Sequence, residues 1–175
     1  MAFTLFRDIL YRVINAKEIM DMYTCFFIGH RDAPGTLQQK LDETVDYLWR
    51  WCGVTQFVVG HHGNFDNMAV SAVEKAKEVK PELYAYLLME TFMPRNRIYL
   101  PGNFDNFYVP GNLELRHPRY AIEKVNRAML RECDYLVAYV SRNGGNAAKI
   151  LRSAKRQEKD GLRIINLATD NFPPK

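Results

Sequence analysis

The chain has 175 residues, of which 47% are hydrophobic and 25% charged, and its formal net charge is +4. This length suits one α/β domain with its own core, and the composition excludes a disordered or fibrous chain. Because no apolar run reaches about 18 residues, and Arg7, Asp8 and Arg12 interrupt the N-terminus, we expect a cytoplasmic protein without a membrane span or secretory signal.

Residues 1–21 make the first predicted element, an amphipathic helix with apolar side chains at helical spacing: Phe6, Ile9, Leu10 and Val13. The first strand begins only near Tyr23. We therefore expect residues 1–21 to be an N-terminal helical extension, followed by one nucleotide-binding domain over residues 22–175.

The domain alternates apolar runs with helical patterns. The predicted strands are Thr24–Ile28, Thr55–Val59, Leu83–Met89, Tyr135–Val140 and Arg163–Leu167. The predicted helices are Thr36–Trp51, Asp66–Val79, Pro118–Arg131 and Gly145–Gly161. This alternation predicts a Rossmann-like, doubly wound α/β domain whose parallel sheet has five strands in the order 3-2-1-4-5, with helices on both faces.

The segment from Glu90 to Arg116 has no clean periodicity and is rich in proline and glycine. It repeats an Asn-Phe-Asp triplet, at residues 103–105, that also occurs at residues 64–66. A long loop in a compact domain is usually a lid or binding loop, or else a misread element.

Three glycine-bearing turns follow three of the predicted strands. They are Gly29-His30-Arg31, the run from Gly60 to Asp66, and Asn143-Gly144-Gly145-Asn146. Ligands of such sheets bind beyond the carboxyl ends of the strands, where glycine lets the backbone approach an anion and helix N-termini supply N–H donors. The turns therefore predict a pocket for a phosphate-bearing small molecule.

The turns also supply candidate ligand-binding side chains. Arg31 can grip a phosphate with its guanidinium, His30 can donate a hydrogen bond, and Lys149 lies in the first turn of a helix that begins at a Gly-Gly nest. Asp66 either caps its helix or contacts a ribose. The predicted ligand-binding set is Gly29, His30, Arg31, Gly60, Gly63, Asn64, Asp66, Asn143, Gly144, Gly145, Asn146 and Lys149. We expect the anion between the first and third turns.

We expect no metal and no cofactor. His61 and His62 are adjacent, and neighbouring side chains on an extended backbone point to opposite sides. Cys25, Cys52 and Cys133 lack metal-ligand spacing and are expected to be buried, reduced thiols.

Several of these motifs resemble a known superfamily. Gly60-x-x-Gly63-x-x-Asp66-x-x-Ala69 resembles the second motif of the SMF/DprA–LOG (SLOG) superfamily of Rossmann-like domains. The segment Cys25–Arg31 resembles the opening strand of its YpsA-like branch, and Gly144-Gly145 its Gly-Gly helix start. The resemblance covers about Tyr23 to Leu167 and implies a nucleotide-type ligand.

The chain departs from the catalytic pattern of the LOG enzymes, Pro-Gly-Gly-x-Gly-Thr-x-x-Glu. Asn143 replaces the proline, Ala147 and Ala148 replace Gly-Thr, and Leu151 stands where the glutamate is expected. A leucine cannot move a proton or stabilise an oxocarbenium-like centre. The resemblance therefore implies binding or sensing of a nucleotide or ADP-ribose-like molecule rather than cleavage of LOG type.

Two other functions stay open at this point. A nucleotide hydrolase of phosphoribohydrolase type would use Asp66 and Glu90. DprA-like binding of single-stranded nucleic acid would use a basic segment, since residues 116–163 hold 12 basic and 5 acidic residues. Its candidate contacts are Arg142, Lys149, Arg152, Lys155 and Arg156. A homo-oligomer is compatible with each of these functions.

Overall fold

A computed structural model describes residues 22–90, 97–110 and 120–174. The strands are β1 (Tyr23–Gly29), β2 (Val54–Val59), β3 (Tyr84–Leu88), β4 (Asn106–Tyr108), β5 (Tyr135–Tyr139) and β6 (Arg163–Asn166). The α-helices are α1 (Gln38–Trp51), α2 (Asn64–Val79), α3 (Ala121–Glu132) and α4 (Gly145–Gln157). The predicted helix over residues 1–21 lies outside the described residues.

The helices form where apolar residues recur at helical spacing. In α1 the buried positions are Leu41, Thr44, Val45 and Leu48, which lie on one stripe. Helix α2 ends at Val79, shortly before Pro81, which cannot continue a helix. After α4 a short 3₁₀ turn leads to Gly161, whose φ of 98° favours glycine. The four predicted helices that fall in the described residues are therefore confirmed to within a few residues.

The sheet is parallel and has the strand order β4-β3-β2-β1-β5-β6. The order of the five predicted strands is confirmed, but the prediction that the sheet has only five is wrong. The sixth strand, β4, lies in the segment expected to be a loop and pairs with the edge of β3.

The hydrophobic pattern of the sequence does not predict strand β4, because the strand has only three residues. It is held instead by the second Asn-Phe-Asp triplet. The backbone N–H of Asp105 donates to Ala85 O at 2.8 Å, and the Asp105 carboxylate accepts from the Ala85 N–H at 2.7 Å and from Lys77 Nζ at 2.6 Å. A strand that depends on one anchoring side chain produces no periodic pattern of apolar residues in the sequence.

The two faces of the sheet each have their own hydrophobic core. Helices α1 and α2 cover one face, around Phe27, Phe57 and Val137. Helices α3 and α4 cover the other, around Phe26 and Leu136. This arrangement confirms a doubly wound fold, in which β1 and β5 meet at the switch point between the two halves.

Among the described residues, no helix combines the length and the apolar character that crossing a membrane requires.

Candidate functional site

A cavity of about 680 Å³ opens at the carboxyl ends of the central strands. Its position follows from the topology, because β1 and β5 are neighbours whose chains leave in opposite directions, and Gly29 pairs with Tyr139 at this edge. Nine of the twelve predicted ligand-binding residues line it: Gly29, His30, Arg31, Gly60, Gly63, Asp66, Gly145, Asn146 and Lys149. The three predicted turns therefore meet at one place.

The other three predicted residues do not line the cavity. The side chain of Asn64 ties two turns together, since its Nδ2 donates to Ala33 O at 2.5 Å. The Asn143 carbonyl accepts a hydrogen bond from Arg152 at 3.2 Å. Gly144 is the N-cap of α4, one residue outside the lining.

The glycines of the first two turns make room for other parts of the protein. A Cβ on Gly29 would stand 2.3 Å from Cγ of Phe65, and one on Gly60 would stand 2.6 Å from Oδ2 of Asp66. A Cβ on Gly63 would stand 2.6 Å from the Cα atom of Arg31. Packing within the protein therefore already requires glycine at residues 29, 60 and 63, and access of a ligand to their backbone stays a prediction.

The third turn differs from the first two. Within the described part of the chain, a Cβ on Gly144 or Gly145 would meet no atom within 4 Å. Gly145 has a φ of 87°, a conformation that L side chains rarely adopt. Open space at Gly144 and Gly145 leaves the main chain of this turn accessible to a ligand.

Two helix N-termini are directed to the cavity region. Helix α2 follows Gly63 and helix α4 follows Gly144, and no described side chain caps either helix. Uncapped first turns present free N–H donors, although in α2 the Asn64 N–H already donates to Arg31 O at 2.8 Å. Each helix dipole places roughly half a positive charge at its N-terminus. The cavity therefore provides donors for an anion before any side chain is counted.

His30 adds an unsatisfied polar atom at the switch point. Its side chain is 4% exposed, and its Nε2 atom has no hydrogen-bond partner among the described residues. Burial, followed by the positive charge of Arg142, lowers the pKa of His30. A buried imidazole that lines the cavity with an unsatisfied nitrogen is expected to have a partner, a ligand or a water molecule, that the polypeptide does not supply.

The basic side chains at the cavity differ in whether they already form an ion pair with the protein. Arg31 and Lys149 line it, and neither forms an ion pair with a described residue. Arg142, by contrast, donates two hydrogen bonds to the Asp32 carboxylate, at 3.0 and 2.8 Å. This pair joins the turn after β1 to the turn after β5. Arg31 and Lys149 are therefore the cations available to an anionic ligand.

A second group of side chains meets where β2 and β3 end. His61 Nε2 lies 3.3 Å from Oε2 of Glu90, and His62 Nε2 contacts Oε1 of the same carboxylate. The imidazole centroids are 4.0 Å apart. The expectation that the two rings point to opposite sides is wrong, because β2 has ended and the chain bends at His62 and Gly63.

The carboxylates beside these histidines have contrasting environments. Burial raises the pKa of Asp66, although its Oδ2 accepts a 2.8 Å hydrogen bond from the His62 N–H. For Glu90, burial acts to raise the pKa, but hydrogen bonds from His61 and His62 outweigh it and hold the pKa well below its usual range. Glu90 therefore stays ionised, while Asp66 is the easier carboxylate to protonate.

The sequence prediction missed the contribution of α3. Glu123 and Asn126 line the cavity, and Glu123 is held by Arg127 at 2.9 Å. Asn126 is 9% exposed and forms no side-chain hydrogen bond with a described residue. The sequence does contain a sign of this contribution, because Asn126 is a polar residue next to the buried apolar positions Val125 and Met129.

The cysteines lie in the structural core and do not line the cavity. Cys25 and Cys133 are buried, and Cys52 is half-buried, all three as free thiols. Burial raises the pKa of Cys25, and it raises the pKa of Cys133 to about 12. The prediction of reduced, mostly buried thiols agrees with this arrangement.

Comparison with known proteins identifies a fold relative. No family model matches the chain. No curated protein matches it either. Among solved structures, the chain is similar to DNA processing protein A (DprA) from Streptococcus pneumoniae, with a TM-score of 0.55 and 11% sequence identity. The match covers 86% of this chain and 61% of the other, so the chain spans less than two thirds of that protein. This likeness supports the Rossmann-like fold.

Proposed function

We propose that the cavity binds a phosphate-bearing small molecule, a nucleotide or a nucleotide-derived compound of ADP-ribose type, and that the protein acts as a binding or sensing domain. The observation that carries this proposal is the buried, unpartnered Nε2 of His30 beside two uncapped helix N-termini. A phosphate oxygen would accept hydrogen bonds from the free N–H groups and, when Nε2 carries the proton, from the imidazole.

The size and lining of the cavity support this choice of ligand. Its volume of about 680 Å³ lies within the usual range for small-molecule sites, about 300–1,000 Å³. Beside its polar groups it has an apolar wall that includes Ile28, Leu88 and Ala147, against which a base or ribose can pack. The resemblance of the three motifs to the SLOG superfamily also favours a nucleotide-type ligand.

A thermal-shift panel of nucleotides, dinucleotides and sugar phosphates tests this proposal. A ligand at 100 times its dissociation constant should stabilise the fold by about 2.7 kcal/mol. The matched variants are Arg31→Ala, which removes a cation at the cavity, and Arg50→Ala, which removes an arginine paired with Asp46 on α1. A panel without any shift, or an equal shift in both variants, would contradict the proposal.

A second candidate function is hydrolysis of a nucleotide. Asp66 and Glu90 both line the cavity, and their environments move their pKa values in opposite directions. Such divergence is typical of acid–base pairs. The test is release of free base or of ribose phosphate; activity that survives both Asp66→Asn and Glu90→Gln would exclude these residues from catalysis.

A third candidate function is binding of single-stranded nucleic acid. Helix α4 exposes Lys149, Arg152, Lys155 and Arg156, and the fold is similar to that of a DNA processing protein. Phosphate-driven binding weakens steeply as salt is raised. Fluorescence anisotropy with a labelled single strand at low and moderate salt tests this candidate, and absence of binding at low salt would exclude it.

A further inference from the structure

We propose that His61, His62 and Glu90 form a binding site for a divalent transition-metal ion, at the side of the cavity away from α4. The donor set of two imidazoles and one carboxylate suits Zn²⁺, whereas Mg²⁺ and Ca²⁺ prefer oxygen ligands. The proposal is independent of the identity of any phosphate-bearing ligand.

The three donor groups lie close enough together to share one ion after a small adjustment of His62. One ligand atom from each residue lies within 4.8 Å of the others. His61 Nε2 and Glu90 Oε2 are 3.3 Å apart. Two ligands at about 2.0–2.1 Å from a tetrahedral Zn²⁺ are about 3.3–3.4 Å from each other. His61 Nε2 therefore lies at a separation from the carboxylate that an ion can bridge, whereas His62 Nε2 contacts Oε1 directly and has to draw back from it to admit the ion.

The parallel pairing of β2 and β3 explains why these residues meet. Val59 pairs with Leu87, so the two strands end at the same edge of the sheet. Glu90 follows the end of β3, and the two histidines follow the end of β2. The Asp66 carboxylate fixes the turn through the His62 backbone N–H at 2.8 Å. The fold thus brings the three side chains together, and an ion would replace the hydrogen bonds from the two imidazoles to Glu90.

The three side chains are partly exposed to solvent, and as three ligands they leave one coordination position of the ion open. The side chains of His61, His62 and Glu90 are 18%, 30% and 17% exposed, so solvent reaches them. Three protein ligands leave a fourth tetrahedral position for water or for a ligand atom. Because His62 and Glu90 line the cavity, that position would open toward it.

Titration of the chelator-treated protein with Zn²⁺ alone, followed by calorimetry, tests this site. We expect one Zn²⁺ per chain. Glu90→Gln should weaken binding by more than about 100-fold, since losing even an outer hydrogen-bond partner of a ligand costs about 10–100-fold. Glu43→Gln makes the same chemical change on α1, where the carboxylate accepts from Gln39, and should leave affinity unchanged.

Two spectroscopic measurements on the unmodified chain cover the case in which Glu90→Gln does not fold. With Zn²⁺ bound, long-range ¹H–¹⁵N spectra should show His61 and His62 coordinating through Nε2, with the proton on Nδ1. Co²⁺ should give the visible absorption of a tetrahedral N/O site without a thiolate charge-transfer band, which excludes Cys52. Unshifted imidazoles, a thiolate band, or equal affinity of Glu90→Gln and wild type would overturn the proposal.

Discussion

The ring of Phe65 lies directly against the backbone of Gly29, and a Cβ on residue 29 would stand 2.3 Å from the Phe65 Cγ atom. This contact packs the first turn of α2 onto the end of β1. The Phe65 side chain is 1% exposed and has little room to move away. The position of the N-terminus of α2 at the cavity therefore depends on the absence of a side chain at residue 29.

We expect Gly29→Ala to lower the free energy of unfolding by about 1–3 kcal/mol, because an added methyl group overpacks a filled core. Gly35→Ala is the matched control, since a Cβ there meets nothing within 4 Å among the described residues. Urea unfolding of both variants measures the effect. Equal midpoints for the two would show that Phe65 can move without cost.

Arg31→Ala should weaken binding of a phosphate-bearing ligand by about 1.5–3 kcal/mol, the usual worth of a hydrogen bond to a charged group. Arg31 lines the cavity, and among the described residues it forms no ion pair that would compete. Calorimetric titration with the ligand that gives the largest thermal shift measures the loss. Full affinity in this variant would remove Arg31 from the site.

Asp32→Asn should strengthen anion binding. The carboxylate engages Arg142 through two hydrogen bonds, and the variant both removes a negative charge and frees that guanidinium. Both side chains are exposed, by 64% for Asp32 and 57% for Arg142, so folding stability should change little. Affinity and melting temperature, measured together, separate the two effects; weaker binding would argue against an anionic ligand near Arg142.

His30 should make folding stability depend on pH. Its pKa is lowered in the folded protein, so this contribution to stability is complete above the unfolded pKa of about 6.5 and is lost as pH falls toward the folded value. His30→Gln should not show this loss. Urea midpoints of both proteins between neutral and mildly acidic pH measure the difference, and parallel curves would contradict the assignment.

Asp105→Ala should lower the free energy of unfolding by about 1–3 kcal/mol, because it leaves two buried donors without their acceptor. These are Lys77 Nζ, on a side chain 8% exposed, and the Ala85 N–H. Hydrogen exchange should also accelerate at Met89, whose N–H donates to Tyr108 O. Unchanged exchange there would show that β4 pairs without its aspartate.

The core strands were predictable because strands buried on both faces of a parallel sheet need continuous apolar runs. The helices were predictable because a helix that packs on the sheet needs a stripe of apolar residues along one side. Leu41, Val45 and Leu48 illustrate this, as each is fully buried. The convergence of the three turns was predictable for the same reason, because topology alone places carboxyl ends of adjacent strands together.

Features that depend on single side-chain contacts were not predictable. The role of Gly60 depends on Asp66 occupying the space beside it, and the meeting of His61 with His62 depends on the direction of one turn. Asn126 lines the cavity from α3, which is adjacent to β1 and β5 only after the chain has crossed to the other face. Local sequence pattern carries no information on contacts of this kind.

The pairing of β1 with β5 also joins two parts of the chain that are far apart in sequence. Cys25 pairs with Tyr135, so the central strand gains its second neighbour only when a distant part of the chain arrives. The core beneath α1 and α2 draws mainly on the first half of the chain, while the core beneath α3 and α4 requires its last third. Long-range parallel pairing is slow. In refolding we therefore expect the fluorescence of Trp49, which packs on the first core, to change before the amides of β6 become protected from hydrogen exchange.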